Sequence, residues 1–433
     1  MLLLATTTGY QIRAFGEAAE RHGVELVFAT DRCDMLEDPW RDRAIPIRFH
    51  DPERSVGAIL EATRFLPLDG VLVVGDRPAV IAARVLEKLG RPGHPPEAAA
   101  TAGNKLWTRV RLRDAGLPVP WFVSAPLTSD PRALASSLRY PCVVKPLALS
   151  ASRGVMRADH ADEFVAAFER LGLLLRSPDI RAERSDAHEI ALVEGFIAGG
   201  EYALEGILHH GELHVLALFD KPEPLDGPFF EETIYVTPST ASSADQQAIR
   251  ETVVRAAEVI GLKHGPIHAE CRVNDVGAFV LEVAARPIGG LCARALRFDR
   301  PGILDSGLGI GIPNPESSIS LEELLLRHAL GESPDGWVRE PRASGVMMIP
   351  IPRRGVFRRA ERIDEARMTA GIDDVLITAK PDQLLVPLPE GASYLGFILA
   401  HGESPSEVEQ ALRAAHARLG FVVDPELAVL ARR

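Results

Sequence analysis

Two carboxylates, Glu270 and Glu282, fall on what the sequence predicts to be the two strands of one hairpin. Runs of alternating residues at 266–273 and 278–286 flank a turn-like stretch, and a turn centred on Val276 places the two glutamates opposite each other. Like charges that face across a sheet destabilise it, so a proton or a cation is needed between them. Mg²⁺ fits best, because it takes one or two protein carboxylates together with waters and substrate phosphates. The hairpin therefore indicates a nucleotide-phosphate site.

Strand alternation divides the hairpin residues between two faces. The predicted charged face carries His268, Glu270, Arg272, Val280, Glu282, Ala284 and Arg286. The predicted core face carries Cys271, Val273, Phe279, Leu281 and Val283. An alternative stays open at this point: the hairpin is a solvated sheet edge, and Arg272 and Arg286 neutralise the glutamates.

A second candidate phosphate site is the end of the apolar segment 141–146, where Lys145 precedes a loop of small residues ending at Gly154. Backbone N–H groups of such a loop can wrap an anion, and a lysine at the strand end can pair with it. The sequence contains no Walker A motif, and a strand-end lysine is also typical of a solvated tip. Lys105, at the start of a predicted helix over 104–115, is a further cation whose role is open in the same way.

The segment 191–208 reads as another hairpin, in which Glu201 and Glu205 share one face. Carboxylates on an inward face can accept hydrogen bonds from ribose hydroxyls, and the backbone of a strand end can bind an adenine edge. The alternative is a half-exposed hairpin with its acidic residues in water.

Composition limits the kind of partner. The 433 residues are 46% hydrophobic and 25% charged, which is typical of a globular protein with two or three domains. A net charge of -12 argues against a general nucleic-acid binder or an anionic-membrane binder, since both need a basic surface. We therefore expect small-molecule partners, no nucleic acid and no membrane.

The four cysteines and the N-terminus indicate a cytoplasmic protein. Cys33, Cys142, Cys271 and Cys292 form no CxxC pair, and three lie in apolar surroundings, so we expect reduced core residues. The N-terminal residues 1–5 are apolar but short and lack a basic flank, which predicts a first strand rather than a leader.

The chain divides into three predicted units. Strand and helix patterns alternate over residues 1–95, which predicts βαβ units on a parallel sheet, although no GxGxxG follows the first strand. A proline-rich stretch at 91–96 marks the first boundary. Residues 96–300 form a predicted α+β unit, and residues 301–433 form a second, in which the glycine-rich stretch 307–311 is expected to be a loop.

The order and spacing of these segments resemble the ATP-grasp superfamily, and specifically its carboxylate–amine ligase branch, which includes the L-amino-acid ligases. The matching segments, which together cover nearly the whole chain, are Lys105, 144–146, the loop ending at Gly154, 193–197, 200–202, 230–232, 268–270, 281–286, 355 onward and 396–402. The resemblance implies a multidomain α/β and α+β fold of ATP-grasp architecture. Its parts would be a Rossmann-like domain (1–95), a two-lobed ATP-grasp domain (96–300) and an amino-acid-ligase-like C-terminal domain (301–433).

The same resemblance implies roles for individual residues. Lys105 and Lys145 would hold ATP phosphates, and the 148–155 loop with Ser150, Ser152 and Gly154 would close over them. Glu194, Phe196 and Ile197 would line the adenine, and Glu201 would bind the ribose. Glu270 and Glu282 would hold Mg²⁺, or Mn²⁺ in its place. Arg286 would hold the transferred phosphoryl group or the substrate carboxylate.

Two departures from the superfamily bear on these roles. Ala284 stands where many members have a metal-binding Asn, so a second Mg²⁺ would have fewer protein ligands. Ala148 and Ala151 stand where glycines are common, which is expected to stiffen the phosphate loop.

The implied reaction turns a carboxylate into an acyl phosphate with ATP, after which an amine displaces phosphate and forms an amide. Lys145, Arg286 and His268 are the predicted catalytic residues; His268, Glu205 and Glu232 are candidate general bases. Both substrates stay unidentified, and a homodimer is possible because dimers are common in the superfamily. Alternatives are a formate- or bicarbonate-activating ligase of purine or cofactor metabolism, and a non-catalytic nucleotide-binding regulator.

Overall fold

The N-terminal unit is a parallel sheet covered on both faces. A computed structural model describes residues 1–6, 11–31, 44–300 and 318–426. The first elements are β1 (Leu2–Ala5), α1 (Ile12–Arg21), β2 (Val27–Thr30), β3 (Ile45–Pro46), α2 (Pro52–Ala62), β4 (Val71–Val74) and α3 (Ala79–Lys88). The strand order is β3-β2-β1-β4 and all pairs are parallel, so the predicted βαβ sheet is confirmed. Alternate residues of β1 enter two different apolar cores, as expected for a strand buried on both faces.

A small antiparallel lobe follows the proline-rich stretch. Its elements are α4 (Pro96–Ala102), α5 (Lys105–Asp114), β5 (Phe122–Pro126), α6 (Pro131–Ala135), β6 (Cys142–Pro146), β7 (Met156–Ala158), α7 (Ala161–Leu175), α8 (Pro178–Arg181), a 3₁₀ helix (Asp186–Glu189) and β8 (Ile190–Gly195). The sheet order is β5-β8-β6-β7. The side chain of Asn104 caps α5 by accepting hydrogen bonds from the N–H groups of Leu106 and Trp107, which fixes Lys105 as the first helical residue.

An eight-stranded sheet forms the centre of the molecule. The chain enters it through β9 (Gly200–His209), β10 (Glu212–Lys221), β11 (Ile234–Thr237), β12 (Gly265–Asn274) and β13 (Gly277–Ala284), with α9 (Ser243–Ile260) between β11 and β12. A 3₁₀ helix (Cys292–Ala295), β14 (Arg297–Asp299), β15 (Ile319–Ser320), α10 (Leu321–Ala329) and β16 (Val338–Arg339) come next. The last elements are β17 (Ala343–Ile349), β18 (Gly355–Glu361), α11 (Ile363–Arg367), β19 (Ile372–Ile377), β20 (Leu384–Leu385), β21 (Gly396–Gly402), α12 (Pro405–Arg418) and β22 (Gly420–Asp424).

The central sheet joins the middle of the chain to its C-terminal part, in the order β13-β12-β9-β10-β11-β17-β21-β19. On β9, Ala203 and Ile207 pack into one core while Leu204 and Leu208 pack into another. Glu201 and Glu205 have the same parity as Ala203, so strand alternation directs both glutamates to one face of the sheet. The fold thus supplies acidic residues on an otherwise buried surface.

The predicted pairing of Glu270 with Glu282 is confirmed, but the predicted turn is wrong. Asn274 pairs with Gly277 in a two-residue turn, which alone would put the carboxylates out of register. A β-bulge restores the pairing, because Leu281 is an extra residue between the pairs Glu270–Glu282 and Cys271–Val280.

The bulge also corrects the predicted faces of the hairpin. Val280 packs in the apolar core with Cys271 and Val283, although alternation had placed it on the charged face. Leu281 instead lines the same cavity as Glu282, although alternation had placed it in the core. One inserted residue shifts the strand by half a period, so every side chain on the turn side of it changes face.

Three of the four cysteines, Cys142, Cys271 and Cys292, are buried free thiols, as expected. Cys33 and the predicted loop 307–311 lie outside the described residues. Among the helices in the described ranges, none combines the length and apolar character needed to cross a membrane.

Candidate active site

A cavity of about 330 Å³ opens where the N-terminal sheet, the small lobe and the central sheet meet. Sequence analysis predicted thirteen site residues, and twelve of them line it: Lys105, Lys145, Ser150, Ser152, Glu194, Phe196, Ile197, Glu201, His268, Glu270, Glu282 and Arg286. These residues come from the small lobe and from the central sheet, which form the two lobes around the cavity. They span about 180 positions of the chain. The fold therefore brings nearly the whole predicted set to one place.

Lys145 belongs to a buried ion cluster at the junction of the two lobes. Its Nζ pairs with the carboxylate of Glu194. Arg109 donates to the same carboxylate from Nε to Oε2 at 2.8 Å and from Nη2 to Oε1 at 3.2 Å. Burial alone would raise the pKa of Glu194, but Arg109 and Lys145 lower it to about 2. Burial lowers the pKa of Lys145 to about 8 despite that partner. The cluster is thus ionised at neutral pH and holds the Lys145 ammonium at the cavity wall.

Arg109 was missed by sequence reasoning. Its Nη1 also donates to the carbonyl of Val280 at 2.9 Å, so it ties α5 to both lobes. The available signal was helical spacing: Arg109 lies four residues after Lys105 and three before buried Leu112, which puts it on the inward face of α5.

Lys105 meets the predicted metal-binding hairpin directly. Its Nζ lies 2.9 Å from Glu282 Oε2 and donates to the carbonyl oxygen of Leu149 at 2.8 Å. The ammonium therefore bridges the second carboxylate of the hairpin and the start of the phosphate loop.

Lys221 neutralises the other carboxylate, and sequence reasoning missed it as well. Its buried Nζ lies 2.8 Å from Glu270, 2.9 Å from Glu201 and 3.2 Å from Glu232. The three carboxylates offer oxygens within 4.8 Å of one another, and the Lys221 ammonium supplies positive charge to all three. The solvated-edge alternative, in which Arg272 and Arg286 neutralise Glu270 and Glu282, is not what the structure shows. Arg272 pairs with Glu201, and Arg286 pairs with Asp76.

The pKa values of Glu270 and Glu232, two partners of Lys221, are shifted in opposite directions. Burial opposes ionisation of Glu270, but Lys221 and His268 hold its pKa well below the usual value. Burial and the nearby Glu270 raise the pKa of Glu232 to about 7. Glu270 is therefore a carboxylate at neutral pH, which is the form that binds a hard cation.

His268 is held between two glutamates. Its Nδ1 lies 3.2 Å from Glu205 Oε2 and its Nε2 lies 3.6 Å from Glu270 Oε1. Burial disfavours the charged ring, but Glu205 and Glu270 raise the pKa of His268 to about 9. The N–H of Ile288 also donates to Glu205 at 3.1 Å, so the carboxylate fixes both the ring and the loop after β13.

Arg286 faces the N-terminal sheet. Its Nε and Nη2 bind the two carboxylate oxygens of Asp76 at 2.8 Å and 3.2 Å. Asp76 follows β4 in the turn 75–77, at the carboxyl edge of the parallel sheet, where ligands of such folds tend to bind. This forked ion pair links the cavity wall to the N-terminal unit.

The predicted phosphate loop lies only partly in the cavity. Ser150 and Ser152 line it, whereas Gly154 is buried beside α7 and its N–H donates to the carbonyl of Pro389 at 2.8 Å. Ala151 and Ser152 adopt φ values of 54° and 53°, a left-handed conformation that costs non-glycine residues free energy. The substitution of alanine for glycine at residue 151 therefore stores strain in the loop.

We expect Gly154→Ala to destabilise the chain more than Gly116→Ala. Both glycines have φ near 75°, so both substitutions carry the left-handed penalty of about 1–2 kcal/mol. A methyl group at 154 would also come within 3.1 Å of Leu171 and Leu174, and such overpacking typically costs about 1–3 kcal/mol more. Nothing lies within 4 Å of a methyl group at 116. Urea unfolding of both variants measures the difference; equal midpoints would contradict the buried position of Gly154.

The apolar end of the cavity contains two aromatic rings. Phe196 stacks on Phe230 with centroids 6.3 Å apart, and the guanidinium of Arg272 lies 5.1 Å from the Phe196 centroid. Arg272 Nη1 donates to the carbonyl of Ile197 at 2.7 Å. A flat, partly cationic slot of this kind suits a heteroaromatic base.

Two sequence families match the chain. The ATP-grasp domain matches residues 138–295, and the L-amino acid ligase C-terminal domain 2 matches residues 347–424. Together they cover the phosphate loop, the glutamate hairpin and the C-terminal part of the central sheet.

Known relatives point the same way. A crystal structure of an L-amino acid ligase from Bacillus licheniformis superimposes with a TM-score of 0.76 at 26% identity, covering 98% of both chains. Alanine–anticapsin ligase of Bacillus subtilis is 26% identical over 55% of this chain, and the match spans 52% of that protein. Phosphoribosylglycinamide synthetase from Anaerococcus prevotii has a TM-score of 0.64 over 98% of this chain and 99% of that one; at 15% identity it shares the fold alone.

Proposed function

Because the chain combines an ATP-grasp domain with an L-amino acid ligase C-terminal domain, we propose that it is an ATP-dependent carboxylate–amine ligase. It joins two small molecules, amino acids in the first instance, through an amide bond and releases ADP and phosphate. The observation that carries the proposal is the convergence of Lys105, Lys145 and Arg286 with Glu270 and Glu282 in one cavity. These residue types can neutralise a nucleotide triphosphate and a carboxylate at the same time.

The nucleotide would lie along the junction of the lobes. Phe196 and Ile197 would contact adenine and Glu201 would accept from the ribose. Lys105 and Lys145 would hold phosphates beside Ser150 and Ser152, and all of these residues line the cavity. The side chain of Glu194 is fully engaged with Arg109 and Lys145, so Glu194 can meet the base only through its backbone.

The two hairpin carboxylates fit a hard divalent cation. Both are partly exposed to the cavity, and the charged partners that the structure gives them are cationic side chains. Glu270 and Glu282 would therefore hold Mg²⁺, or Mn²⁺, which neutralises phosphate charge when bound. Buried Ala284 offers no third ligand.

The chemistry needs alignment rather than a protein nucleophile. A carboxylate oxygen attacks the γ-phosphorus of ATP, the bond to ADP breaks, and the resulting acyl phosphate is attacked by an amine, which displaces phosphate. Charge neutralisation and exclusion of water are the protein's contribution. The fork of Arg286, already shown binding a carboxylate in Asp76, is suited to a substrate carboxylate or to the transferred phosphoryl group.

The proposal is tested by phosphate release from Mg·ATP across a matrix of paired amino acids, other carboxylates and amines. Release that requires both a carboxylate and an amine is the expected result. Hydroxylamine in place of the amine should give a hydroxamate, because it traps an acyl phosphate. Phosphate release driven by formate or bicarbonate would instead favour the alternative ligase class, and nucleotide binding with no turnover across the matrix would favour a regulator.

Arg286→Lys should lower ligase activity by about 10²-fold, because a lysine keeps the charge but cannot bind a carboxylate in two-point fashion. Arg297→Lys, at an exposed position of β14, is the matched control and should leave activity unchanged. Saturation with each substrate will show which one Arg286 contacts, since the KM of that substrate should rise most. Unchanged kinetics in Arg286→Lys would remove Arg286 from the site.

We further propose a cytoplasmic location and a homodimer. The buried, reduced state of Cys142, Cys271 and Cys292 supports the first. The superfamily resemblance supports the second, and light scattering of the purified chain measures it.

A further inference from the structure

A second cavity, of about 230 Å³, lies between the N-terminal unit and the ends of β9 and β12 that are far from the proposed nucleotide site. Five histidines line it: His94, His209, His210, His264 and His328. The proposed ligase reaction uses none of them. A cluster of imidazoles is a candidate metal site, because imidazole is the commonest metal-binding side chain in proteins.

Three of these histidines converge from two neighbouring connections. His209 ends β9 and His210 follows it in the turn to β10, while His264 immediately precedes β12. Gly265 pairs with Leu208, so the next pair outward places His264 across from His209. One ligand nitrogen from each of His209, His210 and His264 lies within 4.8 Å of the others. The strand register therefore brings these side chains together, and the cluster is not a chance contact between surface residues.

His328, on α10, supplies the kind of support that metal-binding histidines usually have. Its Nε2 lies 3.2 Å from His209 Nδ1, and its ring stacks on His264 with centroids 4.4 Å apart. In the tautomer in which His209 Nδ1 donates to His328 Nε2, the lone pair of His209 Nε2 is free for a metal, and the hydrogen bond fixes the ring orientation as outer-shell partners do in metal sites.

We propose that His209, His210 and His264 bind a divalent transition-metal ion of the Zn²⁺ class, separately from the carboxylates that face ATP. Zn–N bonds of about 2.0–2.1 Å require ligand nitrogens somewhat closer than in the present arrangement, and exposed His210 can make that adjustment. A three-histidine set leaves a coordination position for water.

The ion would connect two strands that run to the active site. β9 carries Glu205 and Glu201, and β12 carries His268 and Glu270. His209 lies roughly 13 Å from Glu205 along β9, at about 3.3 Å per residue, so the metal would brace the strands without contacting substrates. Its expected effect is on stability, with no direct part in the reaction.

The test uses the full chain without an oligohistidine tag, stripped with a chelator and kept in excess Mg²⁺ to occupy the carboxylates. Titration with Co²⁺ should produce visible absorption at one ion per chain, and Zn²⁺ should bleach it by displacement. His209→Gln/His264→Gln should weaken Co²⁺ binding by at least about 10²-fold, and His328→Gln by about 10- to 100-fold. His50→Gln/His160→Gln, both exposed and outside the cluster, is the matched control.

Thermal unfolding with and without Zn²⁺ guards against a misfolded variant. The parent chain and the control should gain stability with Zn²⁺, and the cluster variant should unfold like the metal-free parent whether or not Zn²⁺ is added. Absence of Co²⁺ absorption in the parent chain, or equal Co²⁺ affinity in parent and cluster variant, would overturn the proposal. Neither outcome bears on ligase activity, which is measured separately.

Discussion

Replacement of Glu282 by glutamine is expected to reduce ATP-dependent phosphate release by on the order of 10³-fold, the scale of losing one electrostatic contact to a transition state. The substitution keeps the shape of the side chain and removes its charge. The Nζ of Lys105 lies 2.9 Å from this carboxylate, and the same carboxylate is proposed to hold the divalent cation. Both the phosphate-binding lysine and the cation therefore lose an anchor in one change.

The fold should survive this substitution. Three quarters of the Glu282 side chain is buried, but glutamine has the same shape and its amide oxygen can still accept from the Lys105 ammonium. Asp275→Asn, in the exposed turn of the same hairpin, makes the same chemical change away from the cavity and should keep full activity. Calorimetric titration with Mg·ATP separates binding from turnover. Phosphate release close to that of the parent chain would remove Glu282 from the proposed metal site.

The glutamate pairing shows how far local sequence reasoning reaches. Two alternating runs and a turn assumed at Val276 were enough to propose that Glu270 faces Glu282, because both arguments use only neighbouring residues. The β-bulge at Leu281 could not be foreseen, since an inserted residue with ordinary strand propensity leaves no mark on the alternating pattern. The predicted pairing was correct although the assumed turn was not.

Two of the missed residues, Lys221 and Asp76, share one physical reason. Lys221 reaches Glu201 and Glu270 only because β9 lies between β10 and β12, and strand order is a property of the whole sheet. Asp76 meets Arg286 only because the N-terminal unit docks on the loop after β13. Neither relation is encoded in spacing along the chain. Gly154 was drawn into the predicted phosphate loop by its position, whereas its amide bonds to Pro389 from a distant segment.

The order of the segments along the chain indicated a family and a function, which the individual residue patterns could not do. The individual signals, a strand-end lysine or a pair of glutamates, each had an ordinary structural explanation. Their order along the chain matched one superfamily, and the ATP-grasp and L-amino acid ligase C-terminal families match residues 138–295 and 347–424. The roles of the individual site residues stay predictions until the variants are measured.

Lys221→Met is expected to have the largest effect on stability. Lys221 is buried and neutralises Glu201, Glu232 and Glu270, so its removal leaves acidic groups together in a low-dielectric site. Breaking a buried ion pair by deleting one partner typically costs about 3–5 kcal/mol. Lys263→Met, at an exposed position, should change the free energy of unfolding by no more than about 0.5 kcal/mol. Urea unfolding of both variants measures the contrast.

The pH dependence of this loss follows from the carboxylates. Burial and Glu270 raise the pKa of Glu232 to about 7 even with Lys221 present, and removing the ammonium raises it further. A carboxyl group whose pKa is higher in the folded state than its ordinary 4.5 binds more protons when folded, so stability falls as pH rises through that interval. Up to about pH 7, Glu232 is protonated in both folded chains, so its contribution to the deficit of Lys221→Met should appear above about pH 7, and the deficit should be larger near pH 9 than near pH 6.

A second substitution distinguishes charge from packing as the cause. Glu232→Gln in the Lys221→Met background removes one of the uncompensated charges, so it should restore part of the lost stability at high pH and little at low pH. If the loss came only from poor packing of methionine, the double variant would gain nothing and the deficit would not change with pH. A pH-independent deficit would therefore mean that Lys221 does not act as the counter-ion of Glu201, Glu232 and Glu270, and that these carboxylates are neutralised in another way.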